Sequence, residues 1–299
     1  MTLLTRRLTL VGAAGALAGA CTPARFVSSI TPRDPALELA IDQAYGPLER
    51  HKVDVFGPPG TPGKAPIAIF VYGGGWKSGY RKEYIWAGKT LAHEGFVTLV
   101  PDYRLAPEVT FPAFVQDIAL AVRWAVDNAG RFGGDPNRIV LVGHSAGAYN
   151  AAMVALDPRY LKAVGVDRRR IRAFAGLAGP YYFPKIHGPI LTAAFTPSAG
   201  QAYQVINFAS PQAPAAFLAA GSEDSVVVPI NTRKLGQALQ SKGVETEWRI
   251  YPGLSHAGVL LSLSRPRRAQ APVYDDMIGF LKRQVGMTPS RHAAATTAH

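Results

Sequence analysis

Three residues that together could activate a serine occur along the chain in the order Ser145, Asp224, His256. A serine hydroxyl is a weak nucleophile until a base removes its proton, and a histidine can take that proton and later give it to a leaving group. A carboxylate beside the histidine holds the imidazole in the required tautomer and stabilises its charged form. The three residue types therefore predict nucleophilic catalysis through an acyl-enzyme intermediate, if the fold brings them together.

Ser145 lies in a Gly-x-Ser-x-Gly sequence between two segments of different character. Four apolar, mostly β-branched residues at 139–142 precede it, and the Ala-rich stretch 148–156 follows it. This order predicts a strand, a tight turn and a helix, which is the context that presents such a serine as a nucleophile. Gly143 and Gly147 leave room for the sharp turn, and the N-terminus of the helix favours a developing negative charge.

Asp224 and His256 each follow a segment that predicts a strand, residues 215–221 and residues 245–251. Strands alternate with helices along the chain, which predicts a mainly parallel central sheet with right-handed connections. In such sheets ligands bind at the carboxyl ends of the strands. We therefore expect both residues to lie with Ser145 at one edge of the sheet.

A second glycine-rich turn could supply the groups that stabilise negative charge. The apolar run at 67–72 predicts a buried strand, and it ends in Gly73-Gly74-Gly75-Trp76. Glycines let the backbone approach a ligand closely and let N–H groups point inward. We expect the N–H groups of Gly74, Gly75 and Ala146 to form an oxyanion hole, the alternative being a flexible turn without a ligand.

The segment 178–214 is rich in glycine, proline and aromatic residues and lacks a long periodic run. It is too irregular for a second domain, and we expect a short lid over the reacting groups. Trp76, His144 and Tyr181 are the residues that we expect to line the substrate pocket. Because the lid is short, the sequence predicts a preference for acyl groups of two to about six carbons.

Composition narrows the class of protein. The chain has 299 residues, of which 48% are hydrophobic and 17% charged, as expected for one large α/β domain. The net charge of +12 suggests an anionic partner, but the arginines are scattered and no nucleic-acid-binding motif accompanies them. The single cysteine excludes a disulfide within the chain and a cysteine metal cluster. We expect no metal and no other cofactor.

The first residues predict export from the cytoplasm. Two arginines at 6–7 precede an apolar run at 8–20 that is too short to span a bilayer, so residues 1–20 are typical of a signal peptide. The paired arginines resemble a twin-arginine signal, although Thr9 replaces the aromatic residue usual there. The predicted location is the periplasm or, as a lipoprotein, the membrane surface.

Cys21 directly follows the sequence Leu17-Ala18-Gly19-Ala20, and two processing routes fit this position. The sequence resembles a bacterial lipobox, in which case Cys21 is lipidated and anchors the protein to a membrane. The spacing equally fits cleavage by ordinary signal peptidase after Ala20, which leaves a free cysteine. The sequence does not separate the two routes.

The remaining boundaries follow from turn clusters and periodicity. Residues 22–48 predict a tether with a short helix around Ala36–Ala44, and the alternating residues His51–Phe56 predict an outer strand. Residues 49–286 predict the catalytic domain. The polar, Ala- and Thr-rich residues 287–299 predict a disordered tail.

Three motifs together resemble a known family. Gly-Gly-Gly-Trp at 73–76, Asp-Tyr-Arg-Leu-Ala-Pro-Glu at 102–108 and Gly-His-Ser-Ala-Gly at 143–147 resemble the hormone-sensitive-lipase-like branch of the α/β-hydrolases. The last motif is also similar to that of arylformamidases, of isoprenylcysteine methylesterase-like enzymes and of feruloyl and acetyl-xylan esterases. The resemblance covers roughly residues 50–285.

The resemblance implies an α/β-hydrolase fold, with helices on both faces of a mainly parallel sheet and a short lid, and cleavage of carboxylic esters without a cofactor. Gly221, Asp224 and Val227 fit the family pattern Gly-x-x-Asp-x-x-Val. Glu223 does not fit it, so Asp224 is the expected acid. Tyr72 departs from the family, which usually has His-Gly-Gly-Gly at this point.

Other functions fit the same residues. An aryl formamidase or amidase and an acyltransferase would share the acyl-enzyme step with an esterase, so the sequence does not exclude them. A non-catalytic binding protein on this fold is a further alternative. The presence of all three of Ser145, Asp224 and His256 favours a carboxylesterase-like serine hydrolase acting on a small-molecule ester.

Overall fold

The computed structural model describes residues 31–60, 63–183, 185–197 and 200–288. The predicted signal peptide, Cys21 and all but the first two residues of the predicted tail lie outside the described residues, so those predictions stay open. The strands are β1 Leu37–Ala44, β2 Lys52–Gly57, β3 Ala65–Val71, β4 Val97–Pro101, β5 Gly134–His144, β6 Ile171–Leu177, β7 Ala215–Gly221 and β8 Thr246–Tyr251.

Eight α-helices connect or follow these strands within the described residues. They are α1 Ile85–His93, α2 Ala113–Asn128, α3 Ala146–Leu156, α4 Pro158–Ala163, α5 Gly188–Ala194, α6 Ile230–Gln240, α7 His256–Leu261 and α8 Val273–Gln284. Short 3₁₀ helices are Arg81–Tyr84, Ala129–Phe132, Arg168–Arg170, Val205–Phe208 and Arg265–Gln270. None of the helices described is both long enough and apolar enough to cross a bilayer.

The strands form one eight-stranded sheet in the order β1-β2-β4-β3-β5-β6-β7-β8. The pairs β1–β2 and β2–β4 are antiparallel, and every pair from β4–β3 to β7–β8 is parallel. All residues of β3 and β4 are buried. Because successive side chains of a strand point to opposite faces, both faces of the sheet centre must be covered. The predicted fold class, a mainly parallel sheet between helices, is confirmed.

The N-terminal edge of the sheet differs from the prediction. Residues 37–44 form strand β1 and not the short helix expected at Ala36–Ala44. Asp42 has a φ of 56°, which interrupts any helix, and its N–H donates to Oδ1 of Asp54 on β2 at 2.8 Å. Alanine, leucine and glutamate favour a helix in isolation, but pairing with the otherwise open edge of β2 outweighs that preference. As a result β2 is the second strand of the sheet and not the outer one.

Within its described residues, the segment predicted as a lid contains α5 and the 3₁₀ helix Val205–Phe208. Its aromatic side chains pack down onto the main domain. Phe195 makes edge contacts with Trp76 and Tyr149, with ring centroids 5.0 and 5.5 Å apart. In the described part of this segment, the chain is thus a short cover attached to the core through aromatic rings.

Candidate active site

Ser145 lies at the turn between β5 and α3, in a backbone conformation that few side chains adopt. Its φ is 55° and its ψ is −124°. The neighbouring glycines are required by close approach, because a Cβ on Gly147 would lie 2.1 Å from the carbonyl oxygen of Val71. A Cβ on Gly143 would lie 2.4 Å from the carbonyl oxygen of Gly147. The predicted strand–turn–helix geometry is therefore present, with the strain expected of such a turn.

The three residues expected to act together lie in a continuous hydrogen-bonded chain. Oγ of Ser145 is 2.9 Å from Nε2 of His256. Nδ1 of His256 is 2.8 Å from Oδ2 of Asp224, whose side chain is fully buried. Each follows a strand, since Ser145 comes after β5, Asp224 after β7 and His256 after β8. The carboxyl ends of parallel strands thus bring together residues that are far apart in sequence.

The structure also separates Asp224 from its neighbour Glu223. The second oxygen of Asp224, Oδ1, accepts the backbone N–H groups of Val226 and Val227 at 3.0 and 2.8 Å. These donors fix the carboxylate so that Oδ2 faces the imidazole. The side chain of Glu223 is exposed. Of the two acids, Asp224 is the one that contacts His256.

The groups expected in the oxyanion hole lie on two separate elements next to Ser145. Gly74 and Gly75 have φ values of 125° and 59°, which favour glycine, and Ala146 is the first residue of α3. Within the described chain, the N–H groups of these three residues donate to no protein acceptor. They are therefore free to donate to an oxygen of a substrate.

Tyr72, which departs from the family motif, lies behind this loop and not in it. Its hydroxyl donates to Oδ1 of Asp102 at 2.7 Å and accepts from Nη2 of Arg50 at 3.0 Å. Asp102 also accepts the backbone N–H of Arg81 at 2.7 Å and pairs with its guanidinium. Burial raises the pKa of Tyr72 well above its ordinary value, so the side chain remains a neutral donor.

A cavity of about 810 Å³ opens over Ser145 and His256. Trp76 and His144 line it, as expected, but Tyr181 does not. The Tyr181 ring is buried against Gly176 and Gly179, where an added Cβ would lie only 1.9 and 2.4 Å from its hydroxyl oxygen. Tyr182 and Phe183, the next two residues of the chain, line the cavity instead. The rest of the cavity wall is mostly apolar and includes Tyr84, Trp86, Leu191 and Leu260.

Apolar side chains also surround the opening of this cavity. Five large hydrophobic residues are exposed among those described, namely Leu37, Leu48, Ile190, Val226 and Val228. Three of them, Ile190 on α5 and Val226 and Val228 in the loop after Asp224, line the cavity. We call these three residues the apolar rim. These exposed side chains extend the apolar lining of the cavity to the surface of the protein.

Asn231 is a site residue that the sequence did not single out. Its Oδ1 accepts the backbone N–H of Tyr182 at 2.8 Å, and its Nδ2 donates to the carbonyl oxygen of Val228 at 3.2 Å. It therefore joins the start of the lid to the loop that follows Asp224. One asparagine in the first turn of a helix carries no recognisable motif, so only the tertiary structure reveals this contact.

The strand order, the strained turn after β5 and the Ser–His–Asp contacts define an α/β-hydrolase. Comparison of the sequence with known families finds two matches, to the BD-FAE family at residues 53–168 and to the prolyl oligopeptidase family at residues 113–288. The second match covers more than half of the chain, which therefore belongs to the prolyl oligopeptidase family.

The curated relatives are esterases by name. Isoprenylcysteine alpha-carbonyl methylesterase ICME of Arabidopsis thaliana is 28% identical over 79% of this chain and 60% of its own length. Esterase LipQ of Mycobacterium tuberculosis is 27% identical over 82% of this chain and 63% of its own length. Carboxylesterase NlhH of the same species is 35% identical over 44% of this chain and 43% of its own. The chain thus spans about three fifths of the length of the first of these relatives.

Solved structures show the same fold. An esterase B from Lactobacillus rhamnosis has a TM-score of 0.76 at 17% identity, over 88% of this chain and 91% of that one. A truncated carbohydrate esterase from gut microbiota has a TM-score of 0.71 at 20% identity, over 86% and 99%. Together, the comparisons confirm the resemblance to α/β-hydrolase esterases of the hormone-sensitive-lipase-like branch.

Proposed function

We propose that the protein is a serine hydrolase that cleaves carboxylic esters, with Ser145 as nucleophile, His256 as general base and Asp224 as the orienting acid. The observation that carries the proposal is the hydrogen-bonded chain from Oγ of Ser145 through His256 to Asp224. Ser145 and His256 also line a mostly apolar cavity that could hold the substrate. The esterase names of the relatives support the choice of reaction.

In the first half of the reaction, Oγ of Ser145 attacks the ester carbonyl carbon while Nε2 of His256 takes its proton. The carbonyl oxygen gains the negative charge and accepts hydrogen bonds from Gly74, Gly75 and Ala146. Collapse of this intermediate breaks the bond to the alcohol oxygen, which receives the proton from His256. The products of this half are a free alcohol and an acyl group on Ser145.

In the second half, water replaces the alcohol. His256 takes a proton from the water, whose oxygen attacks the acyl carbon and forms a second tetrahedral intermediate at the same N–H groups. Its collapse returns the proton to Oγ of Ser145 and releases the carboxylic acid. Asp224 remains ionised throughout and stabilises the positive charge that appears twice on His256.

The acyl group that this site accepts is proposed to be short or compact. The support is the limited size of the lid, in which α5 has only seven residues, together with the aromatic floor formed by Trp76 and its neighbours. The cavity lies within the range of small-molecule sites, and its wall favours apolar substrates. Release of butyrate from p-nitrophenyl esters should therefore be faster than release of palmitate.

A panel of substrates tests the reaction and its class. p-Nitrophenyl esters of rising chain length, N-formylkynurenine, and feruloyl and acetyl-sugar esters are compared by kcat/KM, with Ser145→Ala as control. We expect ester turnover that falls by several powers of ten in the variant, and fluorophosphonate labelling of the wild type alone. Labelling that persists in Ser145→Ala would place the nucleophile elsewhere, and faster turnover of the formamide would change the substrate class.

The cellular location is a separate proposal. We propose that the protein is exported and that Cys21 either carries a lipid anchor or becomes a free cysteine. The support is the apolar run at residues 8–20 between paired arginines and Cys21. Processing that is blocked by globomycin, with incorporation of a palmitate analogue, would support the anchor. A soluble mature chain with unmodified Cys21 would refute the anchor and leave export intact.

A further inference from the structure

We propose that His144, the residue before the nucleophile, is a positioning residue that holds the backbone of His256 in place relative to Ser145. The inference rests on the proposed function, because it assigns His256 as the base. It also changes the role expected from the sequence, in which His144 was only part of the pocket wall. Three observations support this role: a hydrogen bond from His144 to His256, the burial of the His144 imidazole, and the close approach of Gly73 to that ring.

The hydrogen bond joins the two histidines directly. Nε2 of His144 lies 3.1 Å from the backbone carbonyl oxygen of His256, and the two ring centroids are 4.8 Å apart. A carbonyl oxygen can only accept, so Nε2 must carry a proton, and in the neutral ring Nδ1 then holds a lone pair. The contact therefore selects one neutral tautomer of His144.

The surroundings keep His144 in that form. Its side chain is buried, and burial lowers the pKa of the imidazole to about 3, with a smaller effect from positive charge on His256. Nδ1 is also buried and has no hydrogen-bond partner within the described residues. A side chain at Gly73 would meet this nitrogen, because an added Cβ would lie 3.1 Å from it. The residue is thus enclosed by the loop of the proposed oxyanion hole.

A buried nitrogen without a partner is unfavourable for folding, because it loses its hydrogen bond to water and gains none in return. A leucine of similar size would avoid that cost, so stability alone does not explain a histidine here. The other end of the ring supplies an explanation. Through its Nε2, His144 at the end of β5 holds His256, the first residue of α7. The proposed nucleophile, Ser145, is the next residue of the chain, so adjacent residues position the nucleophile and the base.

Two substitutions separate positioning from a merely structural role. His144→Leu removes the donor while keeping an apolar group in the buried space, and His144→Gln keeps an N–H donor on a side chain of similar reach. We expect His144→Leu to fold with an unchanged or higher Tm and to lose roughly ten- to a hundred-fold in kcat with little change in KM. His144→Gln should recover most of that loss, to within about five-fold of wild type.

A spectroscopic measurement gives an independent readout in the full chain. The proton between Nδ1 of His256 and Asp224 should give a downfield proton NMR signal, which we expect to be lost or broadened in His144→Leu and kept in His144→Gln. Equal kcat and equal signals in wild type and His144→Leu would overturn the inference, as would a glutamine variant that is no better than leucine. If the wild type hydrolysed no ester, the proposed function would fail while the NMR signals would still decide the positioning.

Discussion

The indole Nε1–H of Trp76 donates a hydrogen bond to Oδ1 of Asn150 at 3.0 Å, and both side chains are buried. Trp76 follows the glycines of the proposed oxyanion hole, whereas Asn150 lies on α3, the helix that begins with Ala146. The bond therefore connects the two elements that carry the proposed oxyanion donors. Their relative position is set by this pair as well as by the strands beneath them.

Replacement of Trp76 by phenylalanine should weaken catalysis more than binding. Asn150 would lose its donor, and the loop 73–76 would be less well held, so we expect a fall in kcat on the order of ten- to a hundred-fold. Steady-state kinetics on a short p-nitrophenyl ester measure the change. Trp86→Phe is the matched control, because Trp86 lines the same cavity. Equal losses of kcat in both variants would show that the hydrogen bond to Asn150 has no special effect.

The acid is tested by two neighbouring substitutions of the same kind. Asp224→Asn should lower kcat by roughly two to four powers of ten, because an amide no longer stabilises the required tautomer and charge of His256. Glu223→Gln, the control, should remain within several-fold of wild type because its side chain is exposed. Circular dichroism would verify folding of both. The reverse ranking of the two variants would assign the role to Glu223.

The Tyr72 hydroxyl should contribute to the free energy of unfolding and have little effect on kcat. In Tyr72→Phe, Asp102 loses one donor and Arg50 loses an acceptor, so we expect a loss of about 1–3 kcal/mol in the free energy of unfolding. The proposed oxyanion donors are backbone groups, so kcat should change by less than about five-fold. Urea unfolding and ester kinetics measure the two quantities. A large fall in kcat at unchanged stability would instead place the hydroxyl near the reacting atoms.

The apolar rim should contribute to the binding of apolar esters. Val226 and Val228 are 66% and 51% exposed, so an aspartate at either position should be tolerated by the fold. We expect Val228→Asp to raise KM for a hexanoate ester several-fold more than for an acetate ester, because only the longer chain reaches apolar surface. Leu48→Asp, exposed but not part of the cavity wall, is the control. If the two esters responded equally, the rim would not contact the substrate.

The low pKa of His144 has a consequence for stability at acid pH. Because the pKa is about 3 in the folded protein and about 6.5 in an unfolded chain, the unfolded state binds more protons between these values. Stability from this residue is therefore present above pH 6.5 and is lost as the pH falls toward 3. His144→Leu should flatten this part of the stability profile, measured by urea unfolding at several pH values. An unchanged slope would show that His144 is not buried as a neutral group.

The sequence was sufficient for the parts of the site that depend on local patterns. Ser145, Asp224 and His256 each follow an apolar segment, and parallel strands carry whatever follows them to one edge of the sheet. The glycines at 73–75 were likewise recognisable, because a backbone that approaches a ligand closely favours glycine.

Predictions from the sequence were wrong or incomplete where contacts between distant parts of the chain determine the structure. The helix expected at Ala36–Ala44 is a strand because β2 offers it an unpaired edge, which no local pattern reveals. Tyr181 was expected in the cavity wall, yet the chain turns so that Tyr182 and Phe183 face the cavity instead. The hydrogen bond from His144 to the carbonyl of His256 spans 112 residues and carries no motif.

At position 145, the backbone conformation favours glycine for stability, whereas the proposed catalytic activity requires serine. With a φ of 55° and a ψ of −124°, this residue occupies a region that glycine adopts freely and that disfavours any side chain, by about 1–3 kcal/mol. A Ser145→Gly protein would thus be relieved of strain that Ser145→Ala retains, and of these two variants it should unfold at the higher temperature. Thermostability alone would therefore favour glycine at this position, whereas the proposed reaction requires the serine hydroxyl.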